Sequence, residues 1–405
     1  MKNILLSVLA ILCLVLYGNA QNDSAKAVNG SENYLGDNHE GNLNVALFTP
    51  LYLDSAYDGQ VNYRYGHQLP RFINPGLEFY EGVLYAVDSL ERKGIRLNLH
   101  VFDTRSSAEG VQNVINRPDF DNMDIILGHV NANEARILAN VAREKHIPFI
   151  NVNFPNDAGV RDNPYYVILN ATIKTQVTGL YRYLQKYHGL SEVIVIRKPG
   201  SQEDAIEKML KEAAATTRSV PLKMKFLTVG EEATLTELSN EFAAEDSKIA
   251  VIGSLDVNFS KKAAASLALI NQDHPVKVFG MPTFEVMDFS GPEYRNLEIY
   301  YGTPFPYTEL NPNVKAYDDL YKKEYYSRTS DMVYRGIESF YYFANLLYDK
   351  KDNIATSLGE GNDFLFSEFD IQPVLNPQSM QIDYYENKRI YFIQKVDGKI
   401  VSWKY

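Results

Sequence analysis

Cysteine is almost absent: the 405 residues contain one, Cys13, inside an apolar run near the N-terminus. The rest of the chain therefore has no thiol for disulfides, cysteine catalysis or Cys-type zinc sites. A chain of this size does not need disulfides to be stable, so an oxidising compartment stays compatible. A basic excess is also missing. Forty Lys and Arg stand against 51 Asp and Glu, a net charge of −11. No basic stripe exists to displace counterions from phosphates, which argues against nucleic acid and against an anionic membrane surface. Neither GxGxxG nor GxxxxGK[ST] occurs, so no nucleotide-phosphate loop is present. The GxSxG elbow of the common α/β hydrolases is missing too. The seven histidines (His39, His67, His100, His129, His146, His188 and His274) are scattered without HExxH spacing. Acid pairs such as Asp318-Asp319 and Glu231-Glu232 read as solvated helix positions. No catalytic residue, metal site or cofactor is assigned, and the chain reads as a non-enzyme.

The only long apolar run, Ile4 to Tyr17, follows Lys2 and precedes Gly18-Asn19-Ala20. That is the layout of a cleaved export signal, too short and too lightly flanked for a comfortable membrane anchor. Residues 1–20 are the expected signal, cut near Ala20, with a periplasmic product that has no membrane insertion afterwards. Lipid attachment at Cys13 would need a small residue before it, and Leu12 stands there. Residues 21–43, rich in Asn, Gly, Ser and acids, read as a flexible leader.

The most informative stretch is Asp124 to Asn153. Ile125, Ile126 and Leu127 form a short apolar strand, and Ile147 to Ile150 a second. Between them Ala135, Leu138, Ala139 and Ala142 repeat at helical spacing. Asn131 occupies an N-cap position with Glu134 three residues on, the pattern of a capping box. This is a βαβ unit, and in sheets built from such units small ligands bind beyond the carboxyl ends of the strands. Those ends carry Gly128, His129, Asn131, Asn133, Asn151 and Asn153, with Asn156 beyond. Amides both donate and accept, which suits a neutral polar ligand; equally, they cap helices and shape turns.

The same alternation runs along the chain. Strands are expected at Asn44 to Phe48 and Leu97 to Phe102, with helices at Glu78 to Leu90 and Ala108 to Asn116. Pro50 to Gly76 is an unusually long connection holding Tyr52, Tyr57, Tyr63, Tyr65 and His67, either a cleft wall or a plain surface insertion. After a loop at Phe154 to Pro164 and an extended crossing at Tyr165 to Leu169, a second set begins. Its strands are Val193 to Ile196, Lys223 to Val229, Ile249 to Ile252 and Val276 to Phe279. A second crossing near Leu297 to Tyr300 precedes helices Asn313 to Tyr325 and Met332 to Tyr348. Leu358 to Pro377 reads as loop, and Asp397-Gly398 as the turn of a closing hairpin. The fold class is α/β: two Rossmann-like, doubly wound lobes. One lobe is 44–165 plus about 305–375, the other 166–304 plus about 376–405.

This order of parts resembles the type I periplasmic binding proteins, particularly the branch with the branched-chain amino-acid binding proteins. The residues that carry the likeness are IILGHVNANEARILANVAREKHIPFIN, and VKAYDDLYKKEY followed by YRGIESFYYFANLL. The resemblance implies two lobes joined by three crossovers that close on a small solute, and an inner-membrane transporter or receptor as partner. The family's amino-acid anchors are altered here. The Ser at the first helix start falls at Ala132, the next Thr near Pro155, the second-lobe aromatic near Ser201 and the ammonium-binding acid near Pro282. Asp256 and Glu285 lie close enough in sequence to stand in. Candidate ligand contacts are Asn131, Ala132, Asn133 and Asn153 from the first lobe, with Ser201, Asp256, Thr283 and Tyr301 from the second. Tyr300 and Tyr307 could add stacking.

The sequence thus leads to an exported solute-binding protein for an amino acid, peptide or sugar. The alternative is the same fold without a ligand, acting as an envelope scaffold or regulator of cell-wall synthesis.

Overall fold

A computed structural model describes residues 42–58, 62–107, 110–242, 248–326 and 328–405. The expected signal, and the leader up to residue 41, lie outside them. Among the described residues no helix is long and apolar enough to cross a membrane.

Among the described residues fourteen strands form two sheets of seven. In chain order they are β1 (Leu43–Thr49), β2 (Leu97–Asp103), β3 (Ile125–Gly128), β4 (Phe149–Asn151), β5 (Tyr166–Ile168), β6 (Glu192–Arg197) and β7 (Lys223–Thr228). There follow β8 (Lys248–Ile252), β9 (Val276–Gly280), β10 (Glu298–Thr303), β11 (Ile371–Leu375), β12 (Ile382–Asn387), β13 (Tyr391–Val396) and β14 (Lys399–Lys404). The first sheet has the order β11-β12-β5-β4-β3-β1-β2 and the second β14-β13-β10-β9-β8-β6-β7. In the second sheet β7, β6, β8, β9 and β10 are parallel and the last two pairs antiparallel. Central strands are apolar on both faces, as sheets covered by helices require. All four residues of β3 are buried, and so is every residue of β6 except Glu192. The edge strands β7 (KMKFLT) and β14 (KIVSWK) alternate instead and turn lysines outward, which discourages pairing with another chain.

By contact density the chain divides into two compact units. One takes the described residues up to His129 with Asn311–Leu365, the other Val130–Leu310 with Phe366–Tyr405. The first unit is held by its two longest helices, Asn74–Arg92 and Asp331–Lys350, which meet where both carry glycine. A Cβ on Gly82 would overlap the Val333 carbonyl, and one on Gly336 the Phe79 carbonyl. The second unit has cores on the two faces of its seven-stranded sheet. One contains Phe259, Leu267 and Phe284, the other Val177, Leu184 and Phe279.

Three features differ from the sequence expectation. The first helix starts at Asn74 rather than Glu78, because Pro75 occupies its first turn, where a missing N–H is harmless. The stretch 358–377 contains a strand, β11, whose Pro373 is tolerated on a sheet edge. Neighbouring β12 carries Asp383, Glu386 and Asn387, all buried, which hides it from any apolar pattern. Each is paired: Asp383 accepts from the Asp162 N–H, Glu386 from the Thr172 N–H, and Asn387 from those of Asp370 and Arg389. The closing hairpin turns at Asp397 and Gly398, both at positive φ, as expected.

Candidate functional site

In the second sheet β6, β8 and β9 are parallel neighbours, so their carboxyl ends lie in a row. Lys198 follows β6, Asp256 follows β8 and Thr283 follows β9. The Lys198 ammonium lies 2.8 Å from the Asp256 carboxylate and 3.0 Å from that of Glu231, with its side chain only 15% exposed. Hydrogen bonds to Asp256 and then Glu231 push Lys198 above the ordinary lysine range. The Lys198 hydrogen bond, ahead of the Phe259 N–H, holds Asp256 below the ordinary aspartate range. Asp256 also caps the helix Val257–Ile270, accepting from the Asn258 and Phe259 N–H groups. One carboxylate thus starts a helix and fixes a cation at the strand ends.

Ser201 is the first residue of the helix Ser201–Thr216 and is exposed. Its N-cap, Gly200, leaves room for Glu203: a Cβ there would overlap that carboxylate. Glu203 is itself buried and accepts a 2.6 Å hydrogen bond from the Ser254 hydroxyl. Thr283 sits in a short 3-10 helix, Pro282–Val286, and its buried hydroxyl has no partner among the described residues. Glu285 accepts from the Thr303 hydroxyl at 3.0 Å. Ser201, Asp256 and Thr283 therefore share one sheet edge. Tyr301 is 3% exposed and belongs to the core of that sheet, with the Lys395 ammonium 4.9 Å from its ring centre. Tyr300 stacks on Phe279 at 4.6 Å, and its hydroxyl donates to Glu298.

The amides of Asn131, Asn151 and Asn153, at or just after the ends of β3 and β4, serve the backbone. The Asn131 carbonyl oxygen accepts from the Asn133 and Glu134 N–H groups, while Glu134 accepts from the Asn131 N–H, completing the capping box. Ala132 and Asn133 open the helix Ala132–Lys145 on an exposed turn, and Asn133 accepts from Arg136. Asn153 accepts from the Val130 N–H at 2.8 Å and so ties the end of β4 to the residues after β3. Asn151 is buried; it accepts from the Phe154 N–H and donates to the Phe154 carbonyl and the Tyr166 hydroxyl. Asn131→Ala is expected to cost about 1 kcal/mol of stability, the usual worth of an N-cap, read as a lower urea midpoint.

At the carboxyl ends of β1 and β2 the buried Asp103 accepts from the N–H groups of Leu51, Tyr52, Leu53 and Arg105. His129, just after β3, packs edge-on against Phe79 at 5.7 Å. Burial, helped by the positive charges of Arg335 and Arg105, lowers its pKa to about 4, so the ring is neutral near pH 7.

Lys198, Glu203, Ser254 and Asp103 escaped the sequence reading. The Arg197-Lys198 pair after the apolar run Val193 to Ile196 is the one visible hint of the first. Among the described residues no group of three or more His, Cys, Asp or Glu side chains could hold a metal ion. The carboxyl edge of the second sheet thus brings together the Lys198 cation with its Asp256 and Glu231 carboxylates, the buried Glu203 carboxylate with its Ser254 donor, and the Thr283 hydroxyl.

A sequence profile described as Periplasmic binding protein matches residues 74–353. Among solved structures, a putative branched-chain amino acid ABC transporter protein from Rhodospirillum rubrum is similar, with 11% identity and a TM-score of 0.64, covering 89% of this chain and 99% of that one. An ABC transporter substrate-binding protein from Desulfitobacterium hafniense, in complex with Leu, has 11% identity and a TM-score of 0.57 over the same shares. A solute-binding protein of an ABC transporter from R. palustris, in complex with benzoate, has 14% identity and a TM-score of 0.50, covering 89% of this chain and 95% of that one. No curated protein sequence matches.

Proposed function

The chain belongs to the type I periplasmic binding proteins, and we propose that it is an exported solute-binding protein that closes two lobes on a small polar ligand. The family is a solute-binding class, and relatives of this fold were solved with Leu and with benzoate. The signal-like residues 1–20 support export to the periplasm with cleavage near Ala20. An inner-membrane transporter or receptor is the proposed partner.

One observation carries the ligand class: the Lys198, Asp256 and Glu231 cluster at the ends of β6 and β8. A solute bearing both a carboxylate and an ammonium can exchange with these internal pairs, the first meeting Lys198 and the second Asp256 or Glu231, so that each charge stays matched. Amino acids and short peptides fit that pattern better than neutral sugars. The proposed contacts are Ser201, Asp256 and Thr283, with Lys198 added, and Asn131, Ala132, Asn133 and Asn153 after β3 and β4. Tyr301, within the core, would act through β10 rather than by contact.

The second reading, a ligand-free scaffold or regulator of cell-wall synthesis, is favoured by one feature. Asn131, Asn151 and Asn153 direct their carbonyl oxygens to backbone N–H groups.

Thermal unfolding of the signal-free chain, refolded to strip bound solute, separates the two readings. A ligand at a hundred times its dissociation constant stabilises by about 2.7 kcal/mol, which at roughly 2–4 °C per kcal/mol is a plain shift. The expected result is a shift with amino acids or peptides. Silence across amino acids, peptides, sugars and nucleosides would favour the scaffold.

A further inference from the structure

Described residues between β1 and the helix Asn74–Arg92 border an open-sided cavity of about 400 Å³ that differs in chemistry from the strand-end cluster. Leu53, Ala56, Tyr57, Tyr63, Leu69 and Tyr80 form much of its wall, with β2 and Asp103 contributing the rest. Its shape is fixed by backbone hydrogen bonds rather than by collapse onto a core. Asp103 holds the N–H groups of Leu51, Tyr52 and Leu53. Under that restraint Tyr52 adopts a left-handed conformation, φ 55°, rare for a bulky side chain. Tyr57 and Tyr63 then pair as an isolated antiparallel bridge, the Arg64 guanidinium donates to the Tyr57 carbonyl, and the Tyr63 hydroxyl donates to the Gln68 carbonyl.

The lining is aliphatic and aromatic. The one charged side chain in the lining among the described residues, Asp103, accepts four backbone N–H groups, which hold the carboxylate in place. Large apolar side chains are also concentrated on this segment: Leu53, Tyr57, Tyr65, Leu69 and Phe72 are each at least 38% exposed. Clustered exposure of this kind marks a binding surface. A concave, mostly apolar cavity of a few hundred cubic ångströms with pre-set walls has the size and lining of a small-molecule site. Tyr57 and Tyr63, with ring centres 5.6 Å apart, present aromatic surface to an occupant.

We infer that this cavity is a second binding site, for an uncharged, ring-bearing small molecule, separate from the polar strand-end cluster. The wall follows that chemistry: apolar area for the ring, and, among the described residues, no cationic side chain in the lining for an anion to meet. An anionic analogue entering it would lose its hydration without compensation and meet the Asp103 carboxylate.

The test is fluorescence titration of the signal-free chain with N-phenyl-1-naphthylamine, an uncharged probe, and with its anionic relative 8-anilino-1-naphthalenesulfonate. Saturable binding of one equivalent of the uncharged probe is expected, at least tenfold tighter than the sulfonate. Ala56→Phe, which fills the cavity, should weaken it at least tenfold. Leu69→Asp, at a half-exposed rim position that a folded chain tolerates, should do the same. Absence of saturable binding, preference for the sulfonate, or unchanged affinity in a variant whose circular dichroism shows it folded would each overturn the inference.

Discussion

Gly82→Val or Gly336→Val is expected to lower the unfolding temperature by on the order of 10 °C. The two longest helices of the first unit touch backbone to backbone at these glycines, and a Cβ at either would overlap a carbonyl oxygen of the other helix. Neither oxygen can swing away as a side chain could, so the helices must separate along their length. Overpacking of this kind costs about 3 kcal/mol or more when backbone has to move, and at roughly 2–4 °C per kcal/mol that is a large shift. Differential scanning calorimetry checks it. Alanine should be milder than valine at both positions, because valine adds branches to the same overlap. Equal melting of Gly82→Val and the parent chain would mean that the helices do not cross here.

The second large effect is a pH dependence. A histidine in an unfolded chain titrates near 6.5, whereas His129 in the folded chain is held at about 4 by burial and by Arg335 and Arg105. Its folded pKa is depressed, so the unfolded chain takes up a proton that the folded chain refuses. Stability therefore falls as pH drops from about 6.5 towards 4, and this contribution vanishes above about pH 7. Between about pH 7.5 and 4.5 the loss from this one ring is about 2.5 kcal/mol. Carboxylates titrate in the same range, so the informative quantity is a difference between chains. His129→Gln, which cannot titrate, should lose about 2.5 kcal/mol less than the parent over that interval in urea unfolding. Equal losses would place the ring in water.

Much of the fold is legible before any coordinates. Asp124 to Asn153 announces itself because strand, cap and helix signals agree: three apolar residues, then Asn131 and Glu134, then a buried stripe. Asp397-Gly398 does the same for the closing hairpin. What stays hidden depends on distant partners. β12 reads as polar because Asp383, Glu386 and Asn387 are buried against groups that lie elsewhere in the sequence, the Thr172 N–H among them. The role of Asp103 as anchor of the β1 connection needs Leu51 to Leu53, about 50 residues earlier.

The candidate site is less legible than the fold, for the same reason. Asn131 could be read as cap or as ligand contact, and its geometry as a cap follows from local sequence alone. The places of Ser201, Asp256 and Thr283 beyond strand ends are legible, since each follows a strand that sequence pattern locates. Lys198 was not, because its meaning comes from Asp256 and Glu231, residues supplied by other loops. Tyr301 shows the limit of placing residues near a strand end: the sheet that holds β10 is covered on both faces, so its ring packs into a core whichever face it takes.

Recognition of a polar solute at the carboxyl edge of β6, β8 and β9 would depend on Lys198 and Asp256. Isothermal titration of the signal-free chain with the solute found by thermal shift, beside Lys198→Ala and Asp256→Asn, tests it most directly. The account predicts one bound solute per chain and at least tenfold weaker binding in both variants. Undiminished binding in both, with the variants folded, would contradict it and move recognition elsewhere in the chain.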